Sequence, residues 1–349
     1  MPANRVTVAF ARTVARVLNV LREKRRRIRD LRNADECPER FLSEQSWNVG
    51  VTDDLGVHGR LATATDFRRV IKNAPAIWAS KGQHDAIVDA IRIFARARSW
   101  VGDWHNFVTV AGTSVFPYFA TPPISTGGEW VSSVHVEDFD GALDRDLVMD
   151  ALELVKNTGE DLRVVFVDYV ESWENLYRWQ NQSSGGVTLG EHYVDLDSSV
   201  VSPAFIRTSA GDFSGWDHEI MNSLVRLGAG ESISFRFRDD GTDYYEVTLT
   251  EGAGPTNVTL NQSGAGLTSG TRAIPVDATV LLTVVVRPVA SGDEIEVVVN
   301  GTPVINFVDT TPRSEAADRG VSFRASGGDA PRVEWFDAMA YGAETRTLP

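Results

Sequence analysis

Ile233-Ser234-Phe235-Arg236-Phe237-Arg238 alternates apolar and polar residues, Asp239-Asp240-Gly241-Thr242-Asp243 turns the chain, and Tyr245-Glu246-Val247-Thr248-Leu249 alternates again. Successive side chains of a strand point to opposite faces, so a period of two with one apolar face marks a half-buried strand. Two such runs joined by a short Asp/Gly segment read as an antiparallel hairpin. The pattern repeats downstream. Val280 to Val286 is a continuous apolar run, as in a fully buried strand. Ile295, Val297 and Val299 lead into Asn300-Gly301, which supplies the positive-φ residues of a tight hairpin. Val321 and Phe323, then Val333 to Tyr341, give the last strands. Many short strands of this kind predict an antiparallel β-sandwich over residues 190–349.

Working back toward the N-terminus, Asn181-Gln182-Ser183-Ser184-Gly185-Gly186 is small and polar, which predicts a flexible linker over 181–189. Residues 100–180 read as a small α+β region. Phe107 to Val110, Trp130 to Val136 and Leu162 to Val167 have strand character, and Asp144 to Lys156 is a helix with acids in its first turn. Pro117, Pro122, Pro123 and Gly127-Gly128 mark an irregular loop between the first two strands. Trp100, Trp104, Trp173 and Trp179 flank the region as core or interface anchors. Residues 1–99 read as a helical module. Helices are predicted over Leu61 to Lys72 and Gln83 to Arg98, with Pro75 ending the first near Asn73. The fold class is therefore multidomain α+β: a helical N-terminal module, a small α+β region and a C-terminal antiparallel β-sandwich; the resemblances given below imply an assembly module for the first and a jelly roll for the last.

A chain of 349 residues has room for two or three domains. Its charge is unevenly placed. The first hundred residues hold 19 Lys+Arg against 11 Asp+Glu, a balance of +8, and the remainder carries −22. A basic head suits an acidic partner, and the acidic remainder repels its own kind. The single Cys37 excludes a disulfide framework and a cysteine metal cluster, and is compatible with a reducing cytoplasm. The six histidines, at 58, 84, 105, 135, 192 and 218, share no helical ligand spacing. No apolar run reaches the roughly 18 residues of a membrane span.

Phe10, Val14, Val17, Leu21, Lys24, Ile28 and Leu31 step alternately by 4 and 3, an a/d seam with one polar break at Lys24. A seam of that length exposes apolar surface unless another helix covers it. The basic run Arg22 to Arg29 has no interleaved aromatics, so it reads as a solvated helix face or one that pairs with an acidic partner, not as a nucleic-acid site.

Two sequence elements carry a family resemblance. Cys37-Pro38-Glu39 follows the first helix, and Ala74-Pro75 with Lys81-Gly82 precedes another. In that order they resemble the tail protein I family, the wedge subunit of contractile phage tail baseplates, over roughly residues 5–178. Where that family has an "LP-x-LAW" stretch, this chain has Phe41 to Trp47, and only Trp47 matches. The resemblance implies a structural baseplate wedge subunit, not an enzyme, with no cofactor, no metal and no nucleic acid. It implies a symmetric hetero-oligomer with other baseplate proteins (wedge partners, sheath or hub-proximal subunits), in the tail of a virion or a tail-like injection particle assembled in a bacterial cytoplasm. In such wedges the first helices of several subunits bundle. Phe10, Val14, Val17, Leu21, Ile28 and Leu31 would then form an intermolecular seam, and Cys37, Pro38, Glu39, Trp47, Pro75, Lys81 and Gly82 the family motif.

Val297 to Asp309 followed by Arg319 to Ala325 resembles the closing strands of the concanavalin-like (laminin-G-like) jelly roll. That resemblance implies a fold and leaves an alternative function, a lectin-like protein attaching to surface glycan. Glycanases of this type place two carboxylates across a bond. Here the usual "E-x-D-x-x-E" strand is absent, and Glu334 and Asp337 are wrongly spaced for one strand face. Asp239, Asp240 and Asp243 complete no calcium loop and read as turn residues. Trp216, Tyr244 and Trp335 cannot be brought together as a sugar platform from sequence, so the sandwich is expected to contact a neighbouring baseplate protein in preference to a glycan.

Overall fold

A computed structural model describes residues 14–25, 33–52, 56–61, 63–103, 131–138, 141–156, 161–171, 173, 175–190, 192–208, 213, 219–251, 256–273, 279–312, 320–339 and 345–348. The chain divides into two compact units, one of residues 1–96 with 144–157, the other of residues 97–143 with 158–349.

The first unit is helical. Residues 14–25 form α1. Then come α2 (Leu42–Asn48), α3 (Gly56–Arg60), α4 (Ala64–Ala79), α5 (His84–Ala90) and α6 (Arg145–Val155). α4 begins at a capping box: Thr63 Oγ1 accepts the Asp66 N–H, and the Asp66 carboxylate accepts the Thr63 N–H, both at 3.2 Å. It does not end near Asn73. Pro75 lies inside it, and the helix runs on to Ala79. Proline forfeits one intrahelical bond, but Ala74 and Ile77 are fully buried, and the Trp78 indole donates to the Val49 carbonyl at 2.5 Å. Tertiary packing thus holds the last turn. The helix predicted to Arg98 is also different: α5 passes into a π-helical turn (Ile91–Ala95), closed by Arg96 in the left-handed region. Arg69 donates to the Ile93 and Phe94 carbonyls of that turn.

The second unit is a stack of sheets. Its strands are β1 (Ser99–Asp103), β2 (Val131–Glu137), β3 (Asp161–Val167), β4 (Tyr169–Glu171), β5 (Trp179–Asn181), β6 (Val187–Leu189), β7 (Val194–Leu196), β8 (Ala204–Thr208), β9 (Glu219–Arg226), β10 (Ser232–Asp239), β11 (Tyr245–Thr250), β12 (Thr256–Gln262), β13 (Ala265–Arg272), β14 (Thr279–Val289), β15 (Gly292–Val299), β16 (Thr302–Asp309), β17 (Gly320–Ala325), β18 (Arg332–Met339) and β19 (Thr345–Leu348). One sheet of the sandwich runs β13-β12-β11-β10-β17-β8-β5; the other runs β16-β15-β14-β9-β18-β7-β6, with β4 also on β18. Between them lies a core that includes Phe235, Phe237, Phe323, Phe336, Trp173 and Trp179. The Asn300-Gly301 turn joins β15 to β16, with φ of 47° and 72°, as a tight hairpin requires.

A third, four-stranded sheet, β1-β2-β3-β19, belongs to the same unit. β2 and β3 are parallel, and their connection passes through α6. This sheet covers the outer face of the β18-containing sheet. Val165 and Val167 pack with Leu224, Leu281, Trp335 and Met339. Trp100 stacks on Trp335 at 4.4 Å between centroids. A polar row crosses the same interface. Thr283 Oγ1 donates to Asn222 Oδ1 at 2.8 Å, Asn222 Nδ2 donates to Asp337 Oδ1 at 2.8 Å, and Asp337 Oδ2 lies 2.7 Å from His135 Nδ1. All four side chains are buried.

A division does fall near 99, between Arg96 and Ala97, whereas none falls at 180 or 190. Strands of the 100–180 segment join the sandwich body, whereas its helix joins the helical unit. The expected linker over 181–189 contains the end of β5 and all of β6, which lie in opposite sheets. Its turn is tied down: Gln182 N–H donates to the Phe205 carbonyl at 3.0 Å, and Asp197 N–H to the Gly186 carbonyl at 2.6 Å. Small polar residues here serve a tight connection between packed strands. Proteolytic nicking at 183–185 should therefore leave two fragments that co-elute on size exclusion under native conditions and separate only in denaturant.

Glu171 is buried, and its carboxylate accepts the Trp173 N–H at 3.2 Å and the Trp179 indole N–H at 3.1 Å, with Arg98 at 3.5 Å. Burial pushes its carboxyl above the ordinary carboxylate value, against the opposing charge of Arg98. A raised folded-state value means that the folded protein binds this proton more tightly. The contribution is fully present below the ordinary value and is lost as pH rises through the raised one. Glu171→Gln should therefore gain stability relative to wild type as pH rises above about 4, read as the difference in urea midpoints.

Candidate assembly interface

On α1 the apolar side chains point to solvent. Val14, Val17 and Leu21 are between 40% and 56% exposed, and Leu18, one turn after Val14, is 51% exposed. Residues three and four apart share a helix face, so these four form one stripe. Phe10, Ile28 and Leu31 lie outside the described residues. Contiguous exposed apolar surface of this kind marks an interaction site more often than scattered single residues do.

The Cys37-Pro38-Glu39 element is a pinned loop. Arg68 of α4 donates to the Ala34 carbonyl at 3.0 Å and to the Cys37 carbonyl at 3.1 Å, and Lys72 pairs with Asp35 at 2.5 Å. Cys37 itself is buried with Ala34, Leu42 and Ile71. Burial pushes its thiol up, with Arg68 opposing, so it is a packing residue and not a reactive thiolate. Pro38 and Glu39 are exposed, as are Pro75 and Lys81, and Trp47 is 50% exposed at the end of α2. Gly82 has φ of +84°, and its N–H donates to the Val155 carbonyl at 3.2 Å, satisfying one of the carbonyls left over at the end of α6. At the other end of α6, Arg60 reaches Asp144, Asp146 and Asp150 at 3.2, 3.3 and 3.0 Å. The motif residues thus divide. Cys37 and Gly82 hold the unit together, while Pro38, Glu39, Trp47, Pro75 and Lys81 present themselves to solvent. Arg60 and Arg68 escaped sequence reasoning because their partners lie 31 to 90 positions away along the chain.

The candidate chemistry in the sandwich resolves into structure. Asp337 is held by His135 and Asn222, whereas Glu334 is half-buried, 3.5 Å from Thr279 Oγ1. Asp239 accepts from the Gly241 N–H and from Ser322, and Asp240 accepts the N–H groups of Thr242 and Asp243. All but the Ser322 bond, which crosses from β17 to β10, are turn bonds. Among the described residues no group of three or more His, Cys, Asp or Glu could hold a metal ion, and no helix is long and apolar enough to cross a membrane. Trp335 is fully buried under Trp100, and Trp216 lies outside the described residues.

Residues 3–116 match the family described as "Phage tail protein (Tail_P2_I)". No curated protein matches the chain at a significant level. Among similar solved structures, the carbohydrate recognition domain of Emp47p is 14% identical and aligns over 50% of this chain and 96% of its own, with a TM-score of 0.38. A protein of unknown function with a galectin-like fold from Bacillus subtilis is 10% identical over 50% and 95%, TM-score 0.39. The carbohydrate binding module CBM66 from Bacillus subtilis is 18% identical over 48% and 98%, TM-score 0.35. Likenesses of this size carry no ligand or activity to this chain.

Replacing Gly82 by Ala should destabilise the helical unit by about 1–2 kcal/mol, because a Cβ is strained in the left-handed region. Chemical denaturation of the full chain, followed by far-UV circular dichroism, checks it.

Proposed function

We propose that this protein is a structural subunit of a phage tail and, more specifically, a wedge subunit of the baseplate. The match over residues 3–116 supports a structural role in a phage tail and a place in the virion tail. The observation that carries the finer reading is the exposed apolar stripe of α1, within that same segment. A helix from a neighbouring subunit laid along Val14, Val17, Leu18 and Leu21 would bury the half of each residue's surface that is exposed, each contributing on the order of 1 kcal/mol.

On this reading the work is mechanical and involves no catalysis. α1 bundles with helices of other subunits. The pinned Cys37 loop and the Gly82 bond fix the posture of the unit that carries α1. The exposed motif residues Trp47, Pro75 and Lys81 meet neighbouring baseplate proteins, and the basic head meets an acidic one. The sandwich travels as an attached module. A chain of contacts from seam to module would hold the baseplate before contraction and pass on the structural change.

The seam can be tested directly. Val17→Asp places a charge in the middle of the stripe, where burial without a partner is costly. The variant should fold, as judged by tryptophan fluorescence, and fail to enter tail particles in a complementation assay. If it enters complete particles as wild type does, α1 is not the assembly seam.

A further inference from the structure

On β10, β11, β12, β17 and β8 the apolar residues face the sandwich core, so their alternates form the outer face of that sheet. Cross-strand register puts Thr259, Thr248, Ser234, Arg324 and Phe205 in one row across the five strands. Ser234 and Thr248 share a hydroxyl–hydroxyl bond of 2.8 Å. The neighbouring row contributes Glu246 and Arg236, paired at 2.6 Å, with the Arg236 guanidinium 3.7 Å from the centroid of Tyr244 and 5.7 Å from that of Phe205. The row residues are all half-buried, lying open along one side of the sheet.

The arginines on this face differ in their partners. Arg236 has Glu246. Arg207 donates to the Asp239 carbonyl at 2.5 Å and lies 3.7 Å from the Asp239 carboxylate. Arg324 has no side-chain hydrogen bond or ion pair among the described residues, and its Nε is buried without a partner. A cation held unpaired in the middle of a hydroxyl row, in a part of the chain that is otherwise strongly acidic, is a local exception to the charge pattern. The guanidinium charge has no side-chain counter-charge, and a ligand carboxylate arriving from the open side would pair with its two Nη groups in bidentate geometry.

We infer that this face binds an acidic oligosaccharide, with the carboxylate of a uronic or sialic acid residue on Arg324, the hydroxyls of adjoining rings on Ser234, Thr248 and Thr259, and a ring face against Phe205. The strands are spaced by about 4.8 Å, comparable with the repeat of a glycan chain, so one sugar can address each strand. The inference stands apart from the tail reading and turns the sandwich from a presumed protein contact into a glycan contact. The absence of a sugar platform made of Trp216, Tyr244 and Trp335 does not weigh against it, because Phe205 supplies the apolar surface and Tyr244 instead positions Arg236.

Titration calorimetry on the full chain tests it, with oligogalacturonate, oligoglucuronate and sialyllactose as probes, each beside its methyl ester. The ester keeps every hydroxyl and removes only the charge. At least one acid should bind, its ester about tenfold or more weaker. Arg324→Gln should bind acid and ester alike at the weaker level, with unchanged tryptophan fluorescence. Ser234→Ala, which leaves Arg324 in place, should weaken acid and ester by the same factor. No binding of any acid by the wild type overturns the inference, as does equal binding of acid and ester, or full binding by Arg324→Gln. None of these readouts depends on particle assembly, so its failure is distinct from failure of the seam.

Discussion

A single extra residue in β18 governs the layering of the sandwich unit. Val333 pairs with Val225 and Trp335 with Leu224, so Glu334 is a bulge with no partner of its own. The side-chain period of a strand is two, and one inserted residue exchanges the faces of everything beyond it. Val333 faces the sandwich core before the bulge, and Phe336 and Ala338 face it afterwards. Trp335 and Met339 are thereby turned outward, onto the four-stranded sheet. Asp337 turns outward with them and meets His135. Without the bulge, Trp335 and Asp337 would point into the hydrophobic interior.

That outward face explains why the small sheet is no separate domain. Trp100 on Trp335 supplies apolar burial, and the row from Thr283 through Asn222 and Asp337 to His135 supplies direction. Apolar contact is tolerant of sliding, whereas a chain of buried hydrogen bonds has one register and is costly to leave incomplete. Arg178 reinforces the attachment through Glu137, whose carboxylate also accepts the Val170 N–H at 3.1 Å. On the inner side of β10, Arg238 is turned by its own irregularity, φ +48°, to reach Glu219 and Asp293 of the other sheet. Sequence alternation alone would have left it on the outer face beside Arg236.

The helical unit uses its residues differently. Two residues of the family-like motif work internally, a buried thiol and a left-handed glycine, helped by Arg68, which collects backbone carbonyls. What it offers outward is a small set of residues, Trp47, Pro75 and Lys81, together with the apolar stripe of α1. Interfaces of this economy draw their energy from a few aromatic and aliphatic anchors, with the remaining contacts excluding water. The outer face of the β10 sheet is a different kind of surface, with a row of hydroxyls and an arginine without a side-chain partner.

The sequence by itself determined the class of the elements with strong local periodicity, and it left β9, β12 and β13 unread. Period-two alternation fixed the hairpins of β10–β11 and β15–β16, Asn300-Gly301 fixed the turn of the second, and the 4-3 stepping of Val14, Val17 and Leu21 marked an uncovered helix face, because these signals depend only on residues within a few positions of each other. It also placed Cys37-Pro38-Glu39 and Lys81-Gly82 on a shared scaffold by resemblance. Only the tertiary structure decided where α4 ends past Pro75, that residues 181–186 are a tied connection and not a joint, and that α6 leaves the strands around it to join the helical unit. It alone put His135 against Asp337, 202 positions away, and left Arg324 unpaired in a row of hydroxyls. Each of these rests on partners brought together by folding, and local periodicity carries no information about which distant side chain will satisfy a buried polar group.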